Sequence, residues 1–188
     1  LLNESDVIGF PFPNTDFLIV DINTNKVLPS NKDGEILISG PNIMLEYLKE
    51  SDETKNVLET INGKTYLHTG DIGYIDKKGL LHYKSRLKRM IITSGYNVYP
   101  SHVEEVLMSH ESVLKCAVIG IPNEHKGEIV KAFIVLKDNH NTLTDKNSIK
   151  EHLKKHLAKY ETPREIKYLD DLPTTLVGKV AYKELEKM

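Results

Sequence analysis

Three stretches put small or charged residues where a scaffold has no need of them. In "HTGDIG" a Thr-Gly-Asp closes a strand-like run and leaves Asp71 at a strand-to-turn corner. A carboxylate there accepts two hydrogen bonds from vicinal hydroxyls, such as those of a nucleotide ribose; the plainer alternative is a turn cap beside Gly70 and Gly73. In "SRLKRMIITSGYNVYP" three cations, Arg86, Lys88 and Arg89, precede a strand candidate, and Gly95 follows it. This reads as a solvated linker with a hairpin glycine, or as a charged junction with a close backbone approach at Gly95. In "PTTLVGKVAYKELEKM" Gly178-Lys179 sits on a small-residue loop before a short helix. A lysine on such a loop is a surface charge, or one that swings onto a phosphate or a developing oxyanion.

Other titratable residues read as structural. His152 and His156 are four apart, the spacing of a metal pair, but lack an adjacent Glu and a third ligand nearby, which favours a solvated helix face. His68 and His82 fall within strand candidates. Cys116, the only cysteine, lies inside the apolar run "VLKCAVIGI" and reads as a small core residue of a reducing compartment. There is no Gly-rich phosphate loop ending in Lys-Ser/Thr and no nucleophile elbow.

The elements that must position these residues change character along the 188 residues. Residues 1–85 carry 8 basic against 13 acidic side chains, and residues 86–188 carry 17 against 14. The resulting net charges of −5 and +3 suggest two modules, and the overall −2 excludes nucleic-acid binding through bulk charge. The first half reads as short strands, "FLIVD", "EILISG", "TYLHTGD" and "GLLHYKS", bounded by turn residues and interrupted by a helical "MLEYLKE". Such spacing predicts a small β-barrel-like subdomain. In the second half "RMIITS", "VLKCAVIGI", "EIVKAFIVLK" and "EIKYLD" are strand candidates. "PSHVEEVLMSH" predicts a helix with Ser101 as N-cap and Glu104 completing a capping box. A second helix is expected over roughly 146–159 on Ile149, Leu153 and Leu157, and "AYKELEKM" forms a last short one. The fold class is α+β. No apolar run nears the ~18–20 residues that span a bilayer. The chain opens at Leu1 without Met, and we expect it to be the C-terminal portion of a longer protein.

In order, the motifs resemble the adenylate-forming superfamily of acyl- and aryl-CoA synthetases, peptide-synthetase adenylation domains and beetle luciferases. "GFPFPNTDFLIVD", "GEILISGPNIMLEYLKE", "YLHTGDIGYIDKKGLLHYKSRLKRMIITSGYNVYP" and "PTTLVGKV" together span about 180 residues. The resemblance implies a ligase that joins a carboxylic acid to AMP from ATP with Mg2+, then passes the acyl group to coenzyme A. It implies that Asp71 and Arg86 meet the ribose, Lys88 is the hinge, Lys179 is the catalytic lysine, and Gly95, Tyr96 and Asn97 face the pantetheine of coenzyme A. It further implies a β-rich end of a large domain over 1–85, a hinge at 86–88 and a mobile α+β domain over 89–188. Ser85 stands where the family commonly has Gly, and Glu46-Tyr47 where it has Gly-Tyr.

The text "SGYNVYPSHVEEVL" is closer to acyl-CoA synthetases than to peptide-synthetase domains, so a fatty, medium- or long-chain acid is the expected substrate. An aryl- or succinylbenzoate-type acid is the alternative, as is a non-catalytic interaction module of a degenerate synthetase. The family's phosphate loop and acid pocket lie upstream, so the chain alone is expected not to complete adenylation. No metal ligand set and no nucleic-acid partner are expected, and the setting is expected to be cytoplasmic.

Overall fold

Alternation of apolar and polar residues sets the strands of the first half, and Gly, Asn and Asp end them. The computed structural model describes residues 7–138, 140 and 143–188. Its chain divides into two units, Leu1–Lys88 and Arg89–Met188.

The first unit holds β1 (Val7–Gly9), β2 (Asp16–Val20), β3 (Gly34–Ser39), α1 (Ser51–Val57), β4 (Leu58–Ile61), β5 (Lys64–Ile75) and β6 (Leu81–Arg86). The strands pair antiparallel in the order β1-β6-β5-β3-β2, with β4 on the first residues of β5. The period of two sends Ile19, Ile36 and Leu81 to one face and Val20, Leu37 and Tyr66 to the other. This sheet is open, which corrects the barrel-like closure expected for residues 1–85. The edge strand β1 has three residues and pairs with β6, and no ladder joins it to β2 among the described residues. The α+β class holds.

A second correction concerns "MLEYLKE", which is not helical. Leu45 and Leu48 are exposed among the described residues, and Lys49 takes a left-handed φ of 62°. The helix starts after it, at Ser51.

The second unit holds β7 (Ile91–Thr93), β8 (Tyr96–Val98), α2 (Pro100–Met108), β9 (Val113–Asn123), β10 (Gly127–Leu136), α3 (Leu143–His156), β11 (Glu165–Tyr168) and α4 (Tyr182–Leu185). Strand β10 pairs with β9 along its length, and its other edge takes β7 and the parallel β11. Both faces are covered, which explains the nearly continuous apolar runs of β9 and β10. Ala132 and Ile134 pack with Val103 and Leu107 of α2 and Ile149 and Leu153 of α3. Phe133 and Val135 pack on the opposite face with Leu172 and Leu185. The expected capping box is not formed. Tyr99 is the N-cap and Pro100 occupies the first helical position, where its missing N–H costs nothing.

Candidate functional site

The longest strand of the first unit breaks its regular pairing at the Thr-Gly-Asp motif. Register shifts fall between Glu35 and Leu37 on the β3 side and between Ile72 and Gly73 on the β6 side. Irregular pairing of this kind re-aims side chains. Gly70 takes φ +69°, a left-handed conformation that glycine adopts without strain. Residues 64–75 nevertheless form one strand, so Asp71 lies within β5 and not at the strand-to-turn corner that the sequence suggests. The irregular segment is pinned from within. Thr69 Oγ1 donates to the Ile36 carbonyl at 2.7 Å and accepts the Asp71 N–H at 3.0 Å.

Asp71 pairs across strands with Arg86. Arg86 Nε lies 3.0 Å from Asp71 Oδ1, and Arg86 Nη1 donates to the Thr69 carbonyl at 3.3 Å. The contact is one of charge, because the buried Oδ1 accepts no hydrogen bond among the described residues. Burial pushes the Asp71 carboxyl above its ordinary value, while Arg86 pulls it down and Glu35 adds to the rise. A carboxylate beside an exposed guanidinium is suited to vicinal hydroxyls.

Beneath this pair lies a charged network that the spacing of residues did not reveal. Glu35, buried on β3, accepts the Gly70 N–H through Oε1 at 3.1 Å and meets His68 Nδ1 through Oε2 at 2.9 Å. His68 Nε2 lies 3.1 Å from Glu59 Oε2 on β4. Burial by itself would lower the pKa of His68, but the hydrogen bonds to Glu35 and Glu59 outweigh it, and the net shift is upward. The available signal was a glutamate inside the apolar run "GEILISG".

In the second unit, Ser94 (φ 51°) and Gly95 (φ 82°) form the two-residue turn of the β7–β8 hairpin, the I′ pattern that favours glycine. Gly95, Tyr96 and Asn97 are therefore together at one hairpin end. The Tyr96 ring stacks on Tyr160 with centroids 4.5 Å apart. Both tyrosines line a cavity of about 290 Å³ together with Lys126, Lys159 and Arg164. Three cations and stacked rings suit a phosphorylated ligand.

Lys179 lies on a second hairpin, closed by the Thr174–Val180 bridge and by the Thr175 N–H donating to the Lys179 carbonyl at 2.7 Å. Its side chain is exposed and forms no ion pair among the described residues. Lys88 is exposed within a 3-10 turn, Leu87–Arg89. Arg89 is not a solvated linker residue. Its Nη2 donates to Glu104 Oε1 at 2.6 Å, and its guanidinium lies 4.0 Å from the centre of the Tyr182 ring. Glu104 Oε1 also accepts the Val118 N–H at 2.9 Å and the Tyr182 hydroxyl at 3.4 Å. The glutamate expected in a capping box is instead the hub joining Arg89, β9 and α4.

His152 is packed, with Nε2 2.9 Å from Ser109 Oγ and 3.1 Å from the Val106 carbonyl. Burial pushes the Cys116 thiol up to about 12, so it is no nucleophile at neutral pH. Among the described residues no three His, Cys, Asp or Glu side chains gather to hold a metal ion. Among them, too, no helix is long and apolar enough to cross a membrane.

Comparison with known proteins matches residues 2–48 to the AMP-binding enzyme family and residues 102–179 to the AMP-binding enzyme C-terminal domain. A long-chain-fatty-acid–CoA ligase of Salmonella typhimurium is 38% identical over 182 residues, covering 97% of this chain and 31% of the relative. The structure of ATP-bound MatB from Rhodopseudomonas palustris aligns with a TM-score of 0.85 at 31% identity, over 97% of this chain and 35% of that one. That of the Bacillus subtilis o-succinylbenzoate CoA synthetase with its acyl-adenylate aligns with a TM-score of 0.84 at 30% identity, over 98% and 36%. The chain spans about a third of the length of the curated relatives it matches.

Proposed function

Because this chain belongs to the AMP-binding enzymes, we propose that its protein is an ATP-dependent acid–CoA ligase, and that this chain supplies the nucleotide's ribose contacts and the mobile lysine. The observation that carries the reading is the Asp71–Arg86 cross-strand pair, a carboxylate beside an exposed guanidinium. In the first half-reaction a substrate carboxylate oxygen bonds to the α-phosphorus of ATP and pyrophosphate leaves. In the second, the coenzyme A sulfur bonds to the acyl carbon and AMP leaves. Asp71 orients the ribose hydroxyls, and Lys179 brings a positive charge to the carboxylate and α-phosphate as charge develops between them. The cavity beside Tyr96 gives the phosphates of coenzyme A cationic partners in Lys126, Lys159 and Arg164.

We place a hinge at 86–88, between a β-rich unit of 1–85 and a mobile unit of 89–188. The division of the chain at Lys88 and the exposure of Lys88 support it. The expected substrate is a medium- or long-chain fatty acid, the long-chain reading being supported by the Salmonella relative, and the likeness to the o-succinylbenzoate synthetase supports a succinylbenzoate- or aryl-type acid as the alternative. Dependence on ATP and coenzyme A, with the lone Cys116 kept as a thiol, fits a cytoplasmic setting.

Asp71→Ala in the full-length protein is expected to weaken AMP binding by about 10- to 100-fold, the cost of charge-assisted hydrogen bonds to two hydroxyls. Titration calorimetry with AMP measures this. Unchanged affinity contradicts the role of Asp71.

A further inference from the structure

We propose that Glu35 and His68 are positioning residues for the ribose site, with Glu35, held by His68, fixing the irregular strand segment at Gly70 that presents Asp71. The inference rests on the ribose reading of Asp71. Two successive amides in this segment of β5 are held by side chains: Gly70 N–H by Glu35 Oε1 and Asp71 N–H by Thr69 Oγ1. The Glu35 carboxylate is buried, and its second oxygen points at His68. As an imidazolium, His68 donates from both ring nitrogens, to Glu35 on β3 and to Glu59 on β4. As a neutral ring it donates from one, and the other nitrogen turns a lone pair toward a carboxylate. Loss of the His68 proton therefore loosens Glu35, and with it the Gly70–Asp71 backbone. The charged groups facing His68 are Glu35 and Glu59; Glu35 in turn acts on the Asp71 carboxyl, which also meets Arg86.

The folded-state pKa of His68 is raised, so its contribution is fully present below about 6.5 and is lost as pH rises through the raised value. Asp71, also raised, must be ionised to accept from hydroxyls, so its contribution is lost as pH falls through its own value.

The test compares binding of AMP and 2′,3′-dideoxy-AMP to the full-length protein, since the ratio isolates the hydroxyl contacts and cancels titration of the phosphate. The wild type is expected to favour AMP by about 10- to 100-fold, with the ratio falling on both sides of a pH optimum. Glu35→Ala and His68→Leu are expected to lower that ratio about fivefold or more while leaving dideoxy-AMP affinity unchanged, the loss of part of one charge-assisted contact. His68→Asn, which keeps a donor toward Glu35, is expected to retain the ratio at neutral pH and to lose its alkaline fall. Should Glu35→Ala not fold, His68→Leu and His68→Asn decide the question alone. Equal weakening of both nucleotides, or an unchanged ratio in His68→Leu, overturns the inference. If Asp71→Ala also leaves the ratio unchanged, the ribose reading falls and this one with it. If Asp71→Ala collapses the ratio and the Glu35 and His68 variants do not, only the positioning role is lost.

Discussion

Lys179→Ala in the full-length protein is expected to slow acyl-adenylate formation by about 10³-fold, the cost of removing one preorganised charge from a phosphoryl-transfer site. Thioester formation from supplied acyl-adenylate is expected to keep its rate, because the α-phosphate bond is already made. The structure favours this separation. Lys179 stands on an exposed hairpin closed by backbone bonds, and its ammonium is engaged with no carboxylate among the described residues. Its charge is therefore available to a ligand, and its removal leaves no buried partner unpaired. Single-turnover pyrophosphate release measures the first step, and thioester formation measures the second. Equal slowing of both, or of neither, contradicts the assignment.

The second large effect is on stability. Glu104→Ala is expected to cost the second unit about 3 kcal/mol, because it leaves the half-buried Arg89 guanidinium without its carboxylate and the Val118 N–H and Tyr182 hydroxyl without an acceptor. For a unit of this size that corresponds to a fall of roughly 10–20 °C in its thermal transition. Glu104→Gln, which keeps an acceptor oxygen, is expected to lose less. Tyr182 follows the Lys179 hairpin by three residues, so hydrogen exchange over 174–182 is expected to speed up in Glu104→Ala. A melting curve that does not move removes Glu104 from its place as a hub.

What could be read in the sequence and what could not divide along physical lines. The strands of the second unit and the buried stripe of α3 were legible because burial leaves a local periodicity, as at Ile149, Leu153 and Leu157. The turn at Gly95 was legible because a two-residue hairpin at positive φ favours glycine. Closure of the first sheet was not, since it depends on whether distant edges β1 and β2 pair, and no local pattern encodes that. "MLEYLKE" has helical residues, but its leucines stay exposed among the described residues. Glu104 has the spacing of a capping box, yet its carboxylate is drawn to Arg89, 15 residues earlier in the chain.

The site follows the same rule. Asp71, Arg86 and Lys179 stood out because charge sat among small residues, but the register that sets Asp71 opposite Arg86 comes from the ladder of β5 and β6. Glu35, His68 and Glu59 come from three different strands and become one network only when β3, β4 and β5 pair. Thr-Gly-Asp was visible as a motif, whereas its place inside β5 and the carboxylate that holds it there belong to the fold.

The most direct test is to incubate the full-length protein with ATP, Mg2+ and a panel of fatty, aryl and amino acids, and to follow pyrophosphate with and without coenzyme A. Pyrophosphate release that depends on a medium- or long-chain fatty acid is expected, with an acyl-CoA thioester when coenzyme A is added. Binding of ATP without pyrophosphate release for any acid, or release that never yields a thioester, would contradict that expectation.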